Sequence, residues 1–315
     1  MTTEIKTYHL GDEQVYAKWD NSLGPLLTVR SGEIVEMETR EASDGQLALE
    51  ADLAVLRNLD FSRIHPLTGP VAVEDAEPGD VVELEVLDLK PKGWGWTAII
   101  PGFSLLAEDF TTPHLVTWNL TKGDTATFGS TGITIPLDPF MGVMGVAPKE
   151  SGVLNTIPPR QNGGNVDIKQ LTKGSRIKLP VLYPGALISL GDGHAAQGDG
   201  EVCGTAIECP MTVTFKVTLH KNQPLQELQF FTYGSRMDKT NRRGYYVTTA
   251  HGPDLMESTK NCIRYMIDYL GRTYQLSPED AYVLCSVAVD LKISEVVDAP
   301  NWIVSAFLPQ DIFPG

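Results

Sequence analysis

Residues 78–86 read Pro78-Gly-Asp-Val-Val-Glu-Leu-Glu-Val86, a turn followed by strict alternation. Val82, Leu84 and Val86 fall on one side and Glu83 and Glu85 on the other, the period-two pattern of a strand with one buried face. Residues 31–38, Ser-Gly-Glu-Ile-Val-Glu-Met-Glu, repeat the device, with Val35 and Met37 opposed to Glu36 and Glu38. The likeness hints at a duplicated strand unit, although glycine-acid turns of this kind are common. Residues 176–181 and 211–219 read as further strands, the second alternating Val213, Phe215 and Val217 with threonines and Lys216. Short strands split by glycine and proline, with no helices between them, predict a sandwich or barrel rather than a βαβ array.

The last third changes character. Residues 254–270 place Leu255, Thr259, Cys262, Ile263, Met266, Ile267 and Leu270 on one helical stripe, with Gly271 at the expected stop. Ser277-Pro-Glu-Asp280 then supplies an N-cap, a proline at the first helical position and an acid three residues after the cap. The helix that follows carries Ala281, Leu284, Cys285 and Ala288 inward, and a strand over 301–308 closes the chain. The expected class is α+β, predominantly β: sandwich- or barrel-like sheets with a C-terminal helical pair. No low-complexity linker interrupts it, so residues 1–315 are expected to form one unit, β-rich through 220 and α/β over 221–315.

The chain has 315 residues, 42% of them hydrophobic and 21% charged, an ordinary globular composition. Twenty-five basic against forty acidic residues give a formal charge of −15. Such a surface repels phosphate backbones and anionic lipids, which argues against nucleic-acid and membrane partners and suits a neutral substrate with a bound cation. No apolar run follows a basic stretch at the N-terminus, and no segment approaches the roughly 18 apolar residues of a membrane span. Cys203, Cys209, Cys262 and Cys285 form no CxxC pair, so they read as free thiols in a reducing compartment, the cytoplasm.

Chemistry concentrates between residues 158 and 208. Gly191-Asp-Gly-His-Ala-Ala-Gln-Gly-Asp-Gly-Glu201 sets one imidazole and three carboxylates among four glycines, which let a loop wrap closely round a small object. The pairs Asp192/His194 and Asp199/Glu201 would each project to one side of an extended chain, and Asp167 and Glu208 flank the loop. Carboxylate oxygens with one or two imidazoles suit zinc, manganese or calcium. A glycine- and acid-rich loop is equally an ordinary solvated turn. His65, in Arg63-Ile-His-Pro-Leu-Thr-Gly-Pro70, sits in a fixed irregular loop and is either a ligand or a hydrogen-bonded structural residue. His9, His114 and His220 have no clustered context; His251 is the remaining candidate for a site wall. Cys203 is a candidate nucleophile, with Glu201 and Glu208 near it and Lys149 or Lys169 as a source of positive charge, or else inert packing. No G-x-S-x-G elbow, P-loop or G-x-G-x-x-G motif is present.

These residues resemble the acetamidase/formamidase family. The likeness rests on Pro158-Pro-Arg160, Gly163-Gly-Asn-Val-Asp167, Leu179-Pro-Val181, Gly185-Ala-Leu187, the 191–201 loop and Gly204-Thr-Ala-Ile-Glu208. It extends to His65-Pro-Leu-Thr-Gly-Pro70, Ala76-Glu-Pro-Gly-Asp80, residues 142–147, Ser277-Pro-Glu-Asp-Ala-Tyr282 and Val296-Val-Asp-Ala-Pro300, nearly the whole chain. The resemblance implies a β-rich fold, hydrolysis of formamide or acetamide to the acid and ammonia, a divalent metal near the histidine–carboxylate loop, and homo-oligomers. One departure bears on metal occupancy and substrate choice: the family pattern often has histidine where this chain has Tyr16.

The mechanism expected from it uses a metal, zinc first with calcium and manganese as alternatives, held by His194, Asp192, Asp167 and His65. A metal-bound hydroxide attacks the carbonyl, and Glu208 or Glu201 carries a proton to the leaving nitrogen. Asn165 or Gln197 orients the amide, and Arg160 is either a substrate ligand or, as a neutral amide has little need of a guanidinium, a clamp on neighbouring carboxylates. The rivals are a cysteine amidase using Cys203, a non-catalytic metal- or ligand-binding β-protein, and hydrolysis of a cyclic or longer amide.

Overall fold

The computed structural model describes residues 5–50, 53–232, 243–297 and 299–314; Asp298 of the C-terminal motif lies outside them. The two alternating segments are strands Ile34–Thr39 and Val81–Pro91, and they do not pair with each other. Met211–His220 lies between them, antiparallel to both, with Val213 opposite Met37 on one side and Leu89 on the other. The sheet runs Thr7–Leu10, Ile34–Thr39, Met211–His220, Val81–Pro91, Arg176–Pro180, Gln229–Phe231.

A second sheet runs Gly163–Asn165, Phe140–Gly145, Ile188–His194, Leu67–Val73, Val15–Tyr16, with Leu27–Val29 pairing in parallel to Leu67–Val73. The alternation seen in sequence aims Val35, Met37, Val82, Leu84, Val213 and Phe215 of the first sheet at Val71, Met141, Met144, Ile188 and Leu190 of the second. Together they make one buried cluster. Fully burying each such side chain is worth about 1.5–3 kcal/mol. The sheets are open, not closed into a barrel. A hairpin, Trp94–Ile99 with His114–Asn119, adds a third layer of pairing.

The C-terminal part holds strands Tyr245–Gly252, Asp290–Glu295 and Trp302–Pro309, with the last in the centre. Helices Leu255–Tyr274 and Pro278–Ala288 pack on this sheet and on each other. Ser277 Oγ accepts from the Asp280 amide and Pro278 opens the second helix, as the sequence predicts. The first helix runs past Gly271: Gln275 adopts the left-handed cap instead, and its N–H donates to the Gly271 carbonyl. Gly271 lies within the helix and does not end it. No helix among the described residues is long and apolar enough to cross a membrane.

Helix Pro278–Ala288 also holds the 198–203 loop. Tyr282 Oη donates to the Val202 carbonyl, Ser286 Oγ accepts from the Cys203 amide, and the Gly198 amide donates to the Ser286 carbonyl at 2.7 Å. A Cβ at Gly198 would stand 2.1 Å from the Val289 carbonyl, so that loop and helix close up only because the position is glycine.

Candidate active site

Strand Ile188–His194 ends at the site, and a short segment zips it to the hairpin. The Glu208 amide donates to Trp96 O and the Cys209 amide to Gly193 O, while the Ala195 amide donates to Ile207 O. These bonds set Glu208 beside His194 in an isolated antiparallel bridge. His194 Nε2 lies 3.1 Å from Glu208 Oε2 and 3.3 Å from Asp192 Oδ2. Glu201 Oε1 is 3.9 Å from the same nitrogen, and Asp167 Oδ1 is 4.0 Å from Nδ1. Phe140 meets the imidazole edge-on at 5.0 Å.

The five residues Asp167, Asp192, His194, Glu201 and Glu208 therefore converge from three separated segments. Asp192 and His194 reach one side of a strand, as the spacing predicts. Asp199 and Glu201 do not: Gly200 and Glu201 turn the chain through positive φ, and Asp199 faces Gln170 and the Leu291 amide region instead. Asp167, Asp192 and Glu201 themselves have φ of 47°, 58° and 43°. Non-glycine residues adopt that region uncommonly, and such positions gather at functional sites.

Gly142 is the residue the sequence reading left without a role. A Cβ there would stand 2.6 Å from Asp192 Oδ2, 2.7 Å from Asp167 Oδ1 and 2.8 Å from His194 Cε1. Its bare Cα is the floor on which the cluster rests. Asn165, Asp167, Asp192, Glu201, Glu208 and His65 line a cavity of about 50 Å³, with apolar walls from Ile64, Trp96, Ile100, Phe103 and Ile157. At about 10–15 Å³ for each water-sized group, it accepts a molecule of roughly three to five non-hydrogen atoms. The Trp96 wall is fixed by its indole N–H, which donates to buried Glu41 at 2.8 Å.

Crowding four carboxylates around one imidazole in a buried place shifts every group. Burial pushes Asp167 up to about 7, against the pull of His194, and Glu208 up to about 8. Burial together with the Asp167 charge holds Glu201 well above the carboxylate range. Burial opposes charge on Asp192 as well, but His65 and His194 prevail and hold it well below that range. For His194 burial acts downward, and Glu208 and Asp192 outweigh it, keeping the imidazole well above its ordinary value. In His65 burial dominates and lowers the pKa.

The donor set fits a divalent cation. His194 Nε2, Asp192 Oδ1, Glu208 Oε2 and Asp167 Oδ1 are buried without a hydrogen-bond partner, a costly state for charged atoms that a cation relieves. Asp192, His194 and Glu208 form one group of possible ligands, and Asp167, His194 and Glu201 form another. The 3.1 and 3.3 Å separations in the first match the edge of about 3.3 Å that a tetrahedral zinc has with bonds of about 2.0–2.1 Å. His65 stands apart from both: its Nε2 comes no nearer than 3.9 Å to Asp192 Oδ2.

Other expected residues lie elsewhere. Gln197 is turned from the cavity and bonded to His194 Nδ1 and the Asp167 carbonyl. Arg160 is a clamp, on the carbonyls of Asn155 and Pro158 and not on carboxylates. His251 is exposed on the C-terminal sheet, away from the site. The Cys203 thiol is buried against the Ala98 and Thr205 carbonyls, and burial pushes its pKa up to about 11. Lys169 pairs with Asp290 and Lys149 is exposed, so neither lowers it. Tyr16 Oη donates to Ser189 Oγ, on the strand that carries Asp192 and His194.

The sequence matches a profile of the acetamidase/formamidase family over residues 4–154 and 149–314. It is 26% identical to a formamidase of Methylophilus methylotrophus, over 96% of this chain and 90% of that enzyme. It is 27% identical to an acetamidase of Mycolicibacterium smegmatis, over 85% and 84%. Among solved structures, a γ-lactamase from Delftia acidovorans superposes with a TM-score of 0.90 at 25% identity, covering 98% of this chain and 94% of that one. An acetamidase from Bacillus halodurans gives 0.66 at 33%, covering 95% and 96%. With the profile spanning both sheets, the carboxylate–histidine cluster and the C-terminal helices, the chain belongs to the acetamidase/formamidase family and is an amidohydrolase of carbon–nitrogen bonds.

Proposed function

We propose that this chain hydrolyses a small neutral amide, formamide or acetamide, to the carboxylate and ammonia, with a divalent cation, zinc first, held by His194, Asp192 and Glu208. The observation that carries this is the His194–Asp192–Glu208 triad, with buried, unpartnered donor atoms, of which Asp192 and Glu208 line a cavity that fits three to five heavy atoms. Asp167 and Glu201 form the second carboxylate group, with calcium or manganese the alternatives if oxygen ligands dominate. When bound, the cation supplies a water of lowered pKa and charge to stabilise the oxyanion.

The protein's own groups do the rest. Asn165 Nδ2 donates to the Ile157 carbonyl at 3.1 Å, which leaves its buried, unpartnered Oδ1 to accept an N–H of the substrate amide. Glu201, raised by burial and by Asp167, takes the proton from water and returns it to the departing nitrogen. His65 stays neutral at the cavity wall, 3.9 Å from Asp192. The apolar walls at Trp96, Ile100 and Phe103 exclude bulk water and limit the acyl group. Cys203 has no part in this reaction.

A second reading, a small cyclic amide, draws on the 0.90 superposition on a γ-lactamase; with at least six non-hydrogen atoms, a γ-lactam requires the cavity's apolar wall to give way. Homo-oligomers are supported by exposed Ile293, Val297 and Ile303 around the C-terminal sheet; cytoplasmic residence is supported by the four free, buried cysteines. Ammonia release from formamide and acetamide, with ring opening of a γ-lactam alongside, tests the reading before and after chelation and on return of zinc, manganese or calcium. Release that falls with chelation and returns with one ion is the expected result. Turnover untouched by complete metal removal would overturn the cation's role, and ring opening alone would select the cyclic substrate.

A further inference from the structure

Gln197 bridges two ligand-bearing segments. Its Nε2 lies 2.8 Å from the main-chain carbonyl of Asp167, and its Oε1 lies 2.9 Å from His194 Nδ1. A carbonyl oxygen only accepts, so the amide end facing Asp167 is the NH2 group. The end facing His194 is then the oxygen, and Nδ1 must donate to it. Both partners are buried, Gln197 at 6% and His194 at 1% exposure, so water does not compete for either bond.

We propose that Gln197 is a positioning residue that fixes the tautomer of the neutral His194 ring, keeping a proton on Nδ1 and making Nε2, the nitrogen beside Asp192 and Glu208, the one free to ligate. An imidazole has two nitrogens, and the bond made by one decides which is free to ligate. Here the far nitrogen is the one 3.1–3.3 Å from the two carboxylates. The same amide fixes the Asp167 main chain, so a single side chain sets the relative position of both groups of candidate ligands. Its effect on metal affinity rests on the cation reading above; the tautomer does not.

The reverse side of Gln197 borders a second cavity of about 110 Å³, shared with Ile135, Ala196 and Val287. Ile135→Val enlarges the cavity that Gln197 borders without altering either of its hydrogen bonds, and serves as the control for a merely structural effect.

The experiment is 15N NMR of histidine-labelled protein, with the His194 signals assigned by their loss in His194→Gln, together with divalent-ion titration of the same samples. In the unsubstituted protein and in Ile135→Val, a protected Nδ1–H with an unprotonated Nε2 is expected in the chelated protein at a pH where the ring is neutral. Gln197→Met, which keeps the length but loses both bonds, should lose that Nδ1–H signal and weaken zinc binding about 10–100-fold. Gln197→Glu, which keeps an acceptor, should restore the signal. An Nδ1–H that persists in Gln197→Met, or a bare Nδ1 in the unsubstituted protein, would overturn the proposal. Loss of the signal in Gln197→Met without zinc binding by any sample would uphold the tautomer and refute the cation.

Discussion

His194 Nε2 and Glu208 Oε2 lie 3.1 Å apart, both buried, and no hydrogen bond of acceptable geometry engages either atom. Main-chain bonds on both sides of Glu208 hold it there, so the pair cannot relax by moving apart. A cation between them and Asp192 removes the cost, and binding to the folded state alone raises its stability. Zinc at a hundred times its Kd should add about 2.7 kcal/mol, read as a rise in the midpoint of thermal unfolding over the chelated protein. Glu208→Gln should lose most of that increment, each protein being read against its own chelated midpoint. An equal zinc increment in both proteins would exclude Glu208 as a ligand.

The same crowding predicts how the chelated protein responds to pH. Asp167 and Glu208 rise on folding to about 7 and about 8 from ordinary carboxyl values of 3.8 and 4.5, chiefly through burial. His194 also rises, because Glu208 and Asp192 outweigh its burial. In each case the folded state binds more protons than the unfolded one, so the stabilisation is complete below the unfolded pKa and is lost as pH climbs through the folded one. Asp192 works oppositely, but its window lies below pH 4. Chelated protein should therefore become less stable from pH 5 to pH 8, and saturating zinc should flatten or reverse the trend. Denaturant midpoints across that range check it; a metal-free protein that grows more stable toward pH 8 contradicts the burial of these charges.

Much of the fold is legible in the sequence because alternation has a direct cause: Val82, Leu84 and Val86 are buried since period two aims them at one face. Pairing order is not written locally. Nothing in residues 31–38 or 78–86 says that residues 211–220 will lie between them. At the site, Asp192 and His194 could be placed together because a strand carries both. Asp199 could not be separated from Glu201, since a left-handed Gly200–Glu201 turn looks the same in sequence as an extended run. Gln197 has the same polarity whether it faces substrate or His194, and only the Asp167 carbonyl decides between them.

Cys203 offers a plain chemical check. Its thiol is buried against two carbonyls, and burial pushes its pKa up to about 11, so almost no thiolate exists at pH 8. Iodoacetamide at that pH should leave amide hydrolysis essentially intact over the time that modifies a free peptide thiol. Cys203→Ala should keep kcat within about threefold while costing about 1–2 kcal/mol of stability from lost packing. A 100-fold fall in kcat with an unaltered unfolding midpoint would restore the thiol as nucleophile.

Gly142 allows the sharpest separation of site geometry from fold. Met141 faces Gly193 and Val143 faces Gly191 across the second sheet, so Gly142 sits opposite Asp192 in the middle of well-formed pairing. A methyl group there would lie 2.6 to 2.8 Å from Asp192 Oδ2, Asp167 Oδ1 and His194 Cε1. The strand can keep its hydrogen bonds, but the three side chains must move by several tenths of an ångström or more. Displacements approaching 1 Å cost on the order of 100-fold in rate. Gly142→Ala should lower kcat about that much and weaken divalent-ion binding in parallel. Overpacking at one methyl group carries a stability loss of about 1–3 kcal/mol, well short of unfolding a domain of this size. Far-ultraviolet circular dichroism, zinc titration and amide turnover on one preparation distinguish the outcomes. Full activity in the alanine variant would mean that the cluster is looser than its contacts with Gly142 imply, and would move the reacting centre away from that floor.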